Sequence, residues 1–427
     1  RMKHRILPSI LAIASAALAY RLQPYFDKDI RKAWDYAERC FSSDYYDARA
    51  LFRMYASSLN LEMHSIPLDI PDHDDLTIDV AIYRGNEKNA LIHMSGTHGV
   101  EGFAGSAVQS SILGGEKRKF WQSAVKFTEV GSKSNNNLPT VVLVHALNPY
   151  GFAKLRRWNE NNVDLNRNFL NTQQFIQRLA LDANRHGYVD FYDLFHPPAA
   201  LGWMDPYLPL ALYNIIKHGY ANMKKSLVTG SYHHPKGIFY GGSELQQSNK
   251  LLSTFLQNEL DVEQVDRVGL VDVHTGLGPK GFDTIITPND EKSSYIDRDV
   301  LVSILQDDNL DIEKRIVAFG KDSSAASGYG DVVGTVEEGI GSFFSNAKKA
   351  ILLCQEFGTI NPIFVSQALR EENAAYWHAP GKRIEAAQRV RGAFYLHNDP
   401  QWKTDIATRG ADVFWKMFKY LESNEYN

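Results

Sequence analysis

Residues 90–113 read ALIHMSGTHGVEGFAGSAVQSSIL and hold the pattern on which the fold prediction depends. The apolar run Ala90–Met94 predicts a buried strand, a glycine-rich turn follows it, and Gly102–Leu113 predicts a helix. The same kind of apolar run, bounded by turn residues, recurs along the chain at Leu76–Tyr83, Thr140–His145, Val268–Val273, Thr284–Thr287 and Ala350–Cys354. Helical patterns lie between these runs, for example at Asn171–Leu181 and Ser248–Glu259.

Strands that alternate with helices predict an α/β fold. We expect a single large domain with a mixed, mainly parallel central sheet that helices cover on both faces. In sheets of this kind, functional side chains lie just beyond the carboxyl ends of the strands, so the residues that follow each apolar run decide the function.

The composition is that of a globular protein, with 44% hydrophobic and 22% charged residues among 427, which excludes wholesale disorder. The formal net charge of −4 gives no basic excess, so we expect no nucleic-acid partner. The two cysteines, Cys40 and Cys354, exclude a disulfide framework. Any metal site must therefore draw mainly on histidine, aspartate and glutamate.

Two predicted strands are followed by residues that could bind a metal ion. His98 and Glu101 are three residues apart where a strand turns into a helix, a spacing that lets both side chains reach one divalent ion. His274 follows the run Val268–Val273 and is a candidate third ligand. The alternatives are a helix-capping histidine beside a surface glutamate, and a buried His274 bonded only to Asp272.

A carboxylate, Glu356, follows the last apolar run. Burying it is costly unless it is paired. Beside a metal ion it could accept the proton of an attacking water and pass it to a leaving group. The alternative is a structural ion pair with an arginine or lysine.

The stretch from 148 to 169 is rich in asparagine and arginine. Arg156, Arg157 and Arg167 are suited to binding a carboxylate with two parallel hydrogen bonds. Asp164 could orient a ligand histidine through its second ring nitrogen. The alternative is a solvated loop whose turns the asparagines stabilise.

Five motifs occur in one order along the chain: Thr97–Glu101, Asn148–Phe152, Asp164–Phe169, Asp272–Gly276 and Glu356. Together they resemble the zinc carboxypeptidase superfamily. The motifs Thr-His-Gly-x-Glu and Asp-Leu-Asn-Arg are also similar to those of its deacylase branch, which includes succinylglutamate desuccinylase and aspartoacylase. The segment His233–Gly242 further resembles an uncharacterised subfamily near that branch. The resemblance extends over about Tyr45 to Trp402.

The resemblance implies one zinc ion per chain, with His98, Glu101 and His274 as its ligands. It implies that Glu356 is the general base and acid. Asp164 falls where the family has a partner for the first ligand histidine.

The resemblance also implies how a substrate is bound. Asn166 and Arg167 fall where the family binds the substrate carboxylate. Arg157, rather than Arg156, falls near the arginine that polarises the scissile carbonyl. The gap of 173 residues from Glu101 to His274 (274 − 101) is longer than expected for a plain carboxypeptidase.

We expect the insertion, about His186–Gly242, to form a lid or a wall of the pocket. The tyrosine that contacts substrate in the digestive enzymes has no clear counterpart. Tyr329 and Tyr240 are candidates, with a structural role as the alternative for both.

These features together predict a zinc-dependent amide hydrolase that cleaves a peptide or acyl-amino-acid bond next to a free carboxylate. Its partner would be a small peptide or an N-acyl amino acid. The alternatives are a dedicated N-acyl amino acid deacylase and a non-catalytic binding module on the same fold. The predicted strand turns contain no Gly-x-Ser-x-Gly elbow, which argues against a serine hydrolase.

The N-terminus differs from the rest of the chain. Arg1 and Arg5 belong to a basic start, an apolar run follows at Ile6–Ala19, and no acid precedes Asp27. The pattern is typical of a signal peptide, a short anchor or an organelle transit peptide, with an amphipathic helix packed on the domain as the alternative.

We divide the chain into an N-terminal extension, residues 1–40, and a catalytic domain, residues 41–427. Secretion or membrane anchoring is the favoured location, and an organelle or the cytoplasm is the alternative. Any membrane association is expected through the N-terminal segment only.

Overall fold

The computed structural model describes residues 27–115, 117–129, 137–200, 202–288, 298–306, 315–318 and 329–422. The predicted targeting segment in residues 1–26 lies outside these described residues.

The described residues form an eight-stranded mixed sheet in the order β1-β2-β4-β3-β5-β8-β6-β7. The strands are β1 (Glu62–Pro67), β2 (Thr77–Tyr83), β3 (Asn86–Ser95), β4 (Pro139–His145), β5 (Arg267–Lys280), β6 (Asp283–Thr287), β7 (Ile316–Ala318) and β8 (Lys349–Gly358). The four central strands, β4-β3-β5-β8, are parallel to one another, whereas β1, β2 and β6 add antiparallel pairings. The predicted α/β class with a mixed sheet is thus confirmed.

Helices account for most of the remaining described chain. They are α1 (Lys28–Cys40), α2 (Tyr45–Ser58), α3 (Gly102–Gly114), α4 (Arg118–Glu129), α5 (Pro149–Lys154), α6 (Thr172–Leu179), α7 (Tyr192–Phe195), α8 (Tyr207–His218), α9 (Tyr220–Thr229), α10 (Gln247–Glu259), α11 (Arg298–Leu305), α12 (Val336–Gly341), α13 (Pro362–His378), α14 (Arg383–Phe394) and α15 (Pro400–Leu421). Among the described residues, no helix has both the length and the hydropathy needed to cross a bilayer.

Helices pack on both faces of the sheet. A Cβ on Gly269 of β5 would lie 2.9 Å from Cε of Met417, so this strand position faces α15. The next residue, Leu270, points to the opposite face because side chains alternate along a strand. Its register partner on β8, Leu352, contacts Gly341 of α12 on that face.

The first described helix, α1, belongs to the predicted N-terminal extension but packs on the domain. Its residues Ala37 and Cys40 are buried. Lys403 of α15 is buried as well, and its Nζ lies 2.6 Å from Oε2 of Glu38. Residues 28–40 are therefore part of the packed structure.

A second hydrophobic cluster lies apart from the core of the sheet. It joins the insertion, through Phe195, Met223 and Phe239, to Leu369 of α13 and Phe394 of α14. The insertion thus folds against the C-terminal helices, and the space between this cluster and the carboxyl ends of the central strands contains the candidate site.

Candidate metal centre and cleft

The first two candidate ligands follow β3 directly. His98 and Glu101 are buried, and Gly99–Glu101 form a single turn of 3₁₀ helix before α3 begins. A Cβ on Gly99 would lie 2.0 Å from the carbonyl carbon of Gly151 in α5. Glycine at this position therefore lets the turn that carries His98 and Glu101 lie against α5, the helix that follows β4. The arginines of the site come directly after α5 in the chain.

His274 and Glu356 lie within strands rather than after them. The apolar pattern predicted that both residues follow the end of a strand, but β5 continues to Lys280 and β8 continues to Gly358. The two residues are opposite each other in the parallel register of β5 and β8. The apolar runs ended early because these two positions carry polar side chains that line the cleft, while the backbone pairing continues.

The candidate ligand atoms converge. Nδ1 of His98 lies 3.0 Å from Nδ1 of His274 and 3.0 Å from Oε1 of Glu101. Nδ1 of His274 lies 3.2 Å from Oε2 of Glu101. The structure therefore brings the three predicted ligands together as one buried group.

Each imidazole also faces a carboxylate with its other nitrogen. Nε2 of His98 is 3.1 Å from Oδ1 of Asp164, and Nε2 of His274 is 2.9 Å from Oδ2 of Asp272. The hydroxyl of Thr97 donates to Asp272 in turn. Carboxylates in these positions favour the tautomers with a proton on Nε2, so the two Nδ1 lone pairs face the same space.

This donor set fits a divalent cation such as zinc. Two unprotonated nitrogens 3.0 Å apart repel each other, and a cation between them and Glu101 converts that repulsion into coordination. Two histidines and one glutamate are the protein ligands of one type of catalytic zinc site, which leaves a further coordination position open.

The charges around the ligands support a positive ion. Burial alone would raise the pKa of Glu101, but His98, His274 and Arg157 lower that pKa well below its usual range. Burial likewise opposes ionisation of His274, yet Asp272 and Glu101 hold its pKa well above the ordinary value. A cation bound at the group would displace the proton that the raised pKa holds on His274.

Arg157, which follows α5 in the chain, contacts the ligand group directly. Its guanidinium donates to Oε1 of Glu101 at 2.9 Å and to Oδ2 of Asp164 at 3.1 Å. Its Nη2 also lies 2.8 Å from Nε2 of His98. If His98 presents Nδ1 to a cation, Nε2 carries the proton, so we expect this arm of Arg157 to turn toward the cleft.

Arg156, the less favoured alternative, points away from the cleft. Its Nε donates to Oε1 of Glu372 at 2.7 Å, and its Nη2 donates to Asn162. Its guanidinium carbon lies 3.4 Å from the centre of the Tyr376 ring. These contacts give Arg156 a structural role on the far side of Trp158.

Asn166 and Arg167 line the same cleft as Arg157. Oδ1 of Asn166 accepts from the backbone N–H of Val336, which fixes the amide. Nε of Arg167 donates to the carbonyl of Val228 in α9 at 2.9 Å, so the insertion holds this arginine. The ring of Phe239 lies 4.5 Å from the guanidinium carbon of Arg157, and it contacts Arg167 as well.

Glu356 faces the cleft opposite the arginines. Its Oε1 accepts from the backbone N–H of Leu277 at 3.0 Å, and its Oε2 lies 3.8 Å from Sγ of Cys354. Enclosure and the neighbouring Glu101 raise the pKa of Glu356 to about 8. No arginine or lysine forms an ion pair with it among the described residues, which removes the ion-pair alternative there.

A further buried carboxylate, Glu337 of α12, was not anticipated from the sequence. It forms a second group of potential ligands with His274 and Cys354. Burial and the charge of Asp272 raise the pKa of Glu337 to about 7. No sequence signal identified it, because Thr335-Val336-Glu337-Glu338 reads as an ordinary capped helix start.

The insertion forms a wall of the cleft, as expected. Met223, Lys224 and Leu227 of α9 line it together with Phe239. Tyr240 is buried, and its carbonyl accepts the backbone N–H of Asp164, which indicates the structural alternative for this tyrosine. The side chain of Tyr329 lies outside the described residues.

A family model matches residues 41–409, which is most of the chain. The chain belongs to the DUF2817 family. That family is described as one of unknown function, so membership adds no activity to the geometry. A comparison with curated proteins gives no match.

The DUF2817 chain is also similar to solved structures. A "putative metallopeptidase" from Shewanella denitrificans OS217 is 15% identical, with a TM-score of 0.36, over 79% of this chain and 88% of that one. Another from Shewanella amazonensis SB2B is 14% identical, with a TM-score of 0.34, over 79% and 92%. A succinylglutamate desuccinylase from Silicibacter sp. TM1040 is 12% identical, with a TM-score of 0.29, over 74% and 68%. The function is therefore inferred from the residues of the site.

Proposed function

We propose that this DUF2817 protein is a zinc-dependent amide hydrolase that cleaves a peptide or acyl-amino-acid bond next to a free carboxylate. One observation carries the proposal: two imidazole nitrogens and a carboxylate converge beside Glu356, in a cleft that Arg157 and Arg167 also line. A bound zinc ion supplies a Lewis acid and lowers the pKa of water.

Glu356 and Arg157 then have different roles in the hydrolysis. Glu356 accepts a proton from the attacking water and delivers it to the leaving amine, a role for which a pKa near neutrality is suited. Arg157 donates hydrogen bonds to the oxygen of the scissile carbonyl as negative charge develops on it. It is the guanidinium nearest the ligand group.

Arg167 and Asn166 bind the free carboxylate of the substrate. The carbonyl of Val228 and the ring of Phe239 hold the guanidinium of Arg167 in place. A fixed carboxylate orients the neighbouring amide for attack, so this contact contributes to turnover as well as to binding.

Short peptides and N-acyl amino acids both satisfy these contacts. We propose that the substrate is small in either case, because α9 of the insertion lines the same cleft as the ligand His98. A dedicated deacylase and a peptidase would differ in the group that they accept on the side of the scissile amide away from the free carboxylate.

The experiment uses the full chain and its Glu356→Gln variant as a matched control. Metal content is measured first, by mass spectrometry after zinc exposure. Both proteins are then assayed on dipeptides, N-acetyl and N-succinyl amino acids, and the same compounds with the carboxylate amidated. We expect about one zinc ion in each protein and turnover only in the parent, on free carboxylates.

A parent chain that binds zinc but hydrolyses none of these compounds would favour the binding-module alternative. A parent chain that takes up no metal would contradict the proposal at its first step. Equal turnover of free and amidated compounds would remove the assigned role of Arg167.

A further inference from the structure

Large apolar side chains are exposed in one short segment of the insertion. Seven of the fourteen large hydrophobic side chains exposed in the described part of the chain lie between residues 204 and 220. They are Met204 (61%), Leu208 (46%), Leu210 (40%), Leu212 (58%), Tyr213 (59%), Ile216 (78%) and Tyr220 (45%). A concentration of this kind marks an interaction surface rather than scattered exposure.

Most of these side chains belong to α8, whose orientation is fixed. Within the helix only Tyr207 and Ala211 are buried. The hydroxyl of Tyr207 is hydrogen-bonded to that of Ser366 in α13, and its ring packs under Arg370. Since these contacts attach one side of α8 to the domain, the leucines and Ile216 face outward.

The charges of the segment have one sign. Residues 206–230 contain no aspartate or glutamate, whereas Lys217, Lys224 and Lys225 are present. Nζ of Lys217 lies 5.9 Å from the ring centre of Tyr213 on the exposed side of α8. Lys225 forms an ion pair with Asp331 outside the segment. Lys224 lines the cleft, so Lys217 is the lysine that gives the exposed apolar side of α8 its positive charge. An apolar surface with a lysine beside it complements a layer of anionic headgroups over hydrocarbon.

The exposed surface continues into the cleft. Tyr220 is exposed beyond the end of α8 and also lines the cleft, and Met223 and Leu227 of α9 follow it inward. One apolar surface therefore leads from α8 to the candidate site.

We propose that α8 docks on an anionic lipid surface. The helix has 12 residues, too few to span a bilayer, so it lies along the interface with Leu208, Leu212 and Ile216 among the acyl chains. Lys217 stays at the level of the headgroups. The mouth of the cleft beside Tyr220 then opens at the same surface.

A second copy of the chain is a poorer occupant for this face. A two-fold symmetric dimer would bring the same surface of each copy together. Lys217 would find no acid on the same segment of the second copy to pair with it, since residues 206–230 contain none. A bilayer containing phosphatidylserine supplies the missing negative charge.

The test measures binding of the full chain to vesicles by flotation. One set of vesicles is phosphatidylcholine alone, and the other contains 30% phosphatidylserine. The test variant replaces Leu208, Leu212, Tyr213 and Ile216 by serine. A matched control replaces four side chains of similar exposure elsewhere, namely Met54, Ile176, Leu179 and Ile384, by serine. A third variant, Lys217→Glu, reverses one charge on α8.

We expect the parent and the matched control to bind the anionic vesicles equally, within a factor of two. The α8 variant should bind at least tenfold less, and Lys217→Glu should lose most of the preference for phosphatidylserine. Circular dichroism checks that each variant is folded, as expected for exposed positions.

Three results would overturn the proposal. The parent chain could fail to bind vesicles, or the α8 variant could bind as well as the parent. Light scattering could also show a parent dimer that the α8 substitutions convert to a monomer with no change in vesicle binding. Because no catalytic residue is altered, these outcomes do not depend on whether the protein hydrolyses an amide.

Discussion

The floor of the cleft and its lid are built in different ways. The floor, formed by the ends of β3, β5 and β8, consists of buried polar side chains whose ring nitrogens and carboxylates pair with one another. The lid, residues 186–242, consists of short helices held by an aromatic and aliphatic cluster, with an apolar face left exposed. In the proposed function, the floor determines the chemistry and the lid determines which molecules reach it.

The two regions also differ in how a substitution should act. In the floor each side chain holds another in place, so removing one leaves a buried charge without its partner. In the lid the side chains contribute mostly apolar contact area, whose loss is graded. Substitutions in the floor should therefore have larger effects than substitutions in the lid.

Replacing His274 by alanine should have the largest effect. The variant loses a ligand and leaves Asp272 and Glu101 buried without their shared partner. We expect no stable metal binding, turnover at background, and a loss of about 3–5 kcal/mol in the free energy of unfolding. Metal analysis and urea unfolding measure both. A variant that keeps its zinc would show that the floor does not act as one unit.

Replacing Glu356 by glutamine should lower turnover without changing metal binding or stability. We expect turnover to fall by about 10²–10⁴-fold, the usual contribution of a general acid or base. Metal content and the thermal midpoint should stay within error of the parent, because Leu277 can still donate to the amide oxygen. Near-normal turnover in the variant would remove Glu356 from its assigned role.

Replacing Arg167 by alanine tests the contact between floor and lid. Loss of the guanidinium leaves a substrate carboxylate unbound, and misplacement of the amide costs roughly 10²-fold in kcat/KM. The loss should fall on substrates with a free carboxylate and spare their amidated analogues. Steady-state kinetics on matched pairs gives the comparison, and Arg167→Lys, which keeps the charge, should recover part of the rate.

The smallest effect per residue should be acid sensitivity from the core beneath the floor. Burial lowers the pKa of His93 and of His145 to about 4. Because the unfolded chain binds these protons near pH 6.5, stability is full above that pH and is lost as pH falls toward 4. At pH 5 the loss is about 2 kcal/mol for each histidine.

Urea unfolding at pH 7 and pH 5 measures this loss. The variant His93→Gln cannot take up the proton, so its stability should fall less between the two pH values than that of the parent. An equal fall in both proteins would place the acid sensitivity elsewhere in the molecule.

The central strands could be predicted because they are buried on both faces. Their apolar runs are nearly continuous, as in Ala90–Met94 of β3. The edge strands gave no such signal, because β1 mixes exposed polar and apolar residues and β7 has only three residues. The lengths of β5 and β8 were underestimated for a related reason, since His274 and Glu356 interrupt the apolar pattern but not the backbone pairing.

The sequence identified most of the residues that gather at the site, though not Glu337, and it did not show how they contact one another. Motif order was enough to select His98, Glu101, His274 and Glu356. The contact of Arg157 with Glu101 depends on the close approach of Gly99 to Gly151, which joins segments about fifty residues apart. The lysines and exposed leucines of the lid carried no motif, because an interaction surface appears only when the fold shows which side of a helix is covered.

Two hydrogen bonds between the lid and the arginine-rich stretch 148–169 end on main-chain carbonyls of the lid. Arg167 donates to the carbonyl of Val228, and the N–H of Asp164 donates to that of Tyr240. Main-chain carbonyls are present whatever the side chain, so these two contacts do not depend on the lid sequence, whereas the contacts made by the hydroxyls of Tyr207 and Tyr232 do. If the proposed function holds, this part of the lid can be redesigned for another substrate while the residues assigned to the reaction are kept.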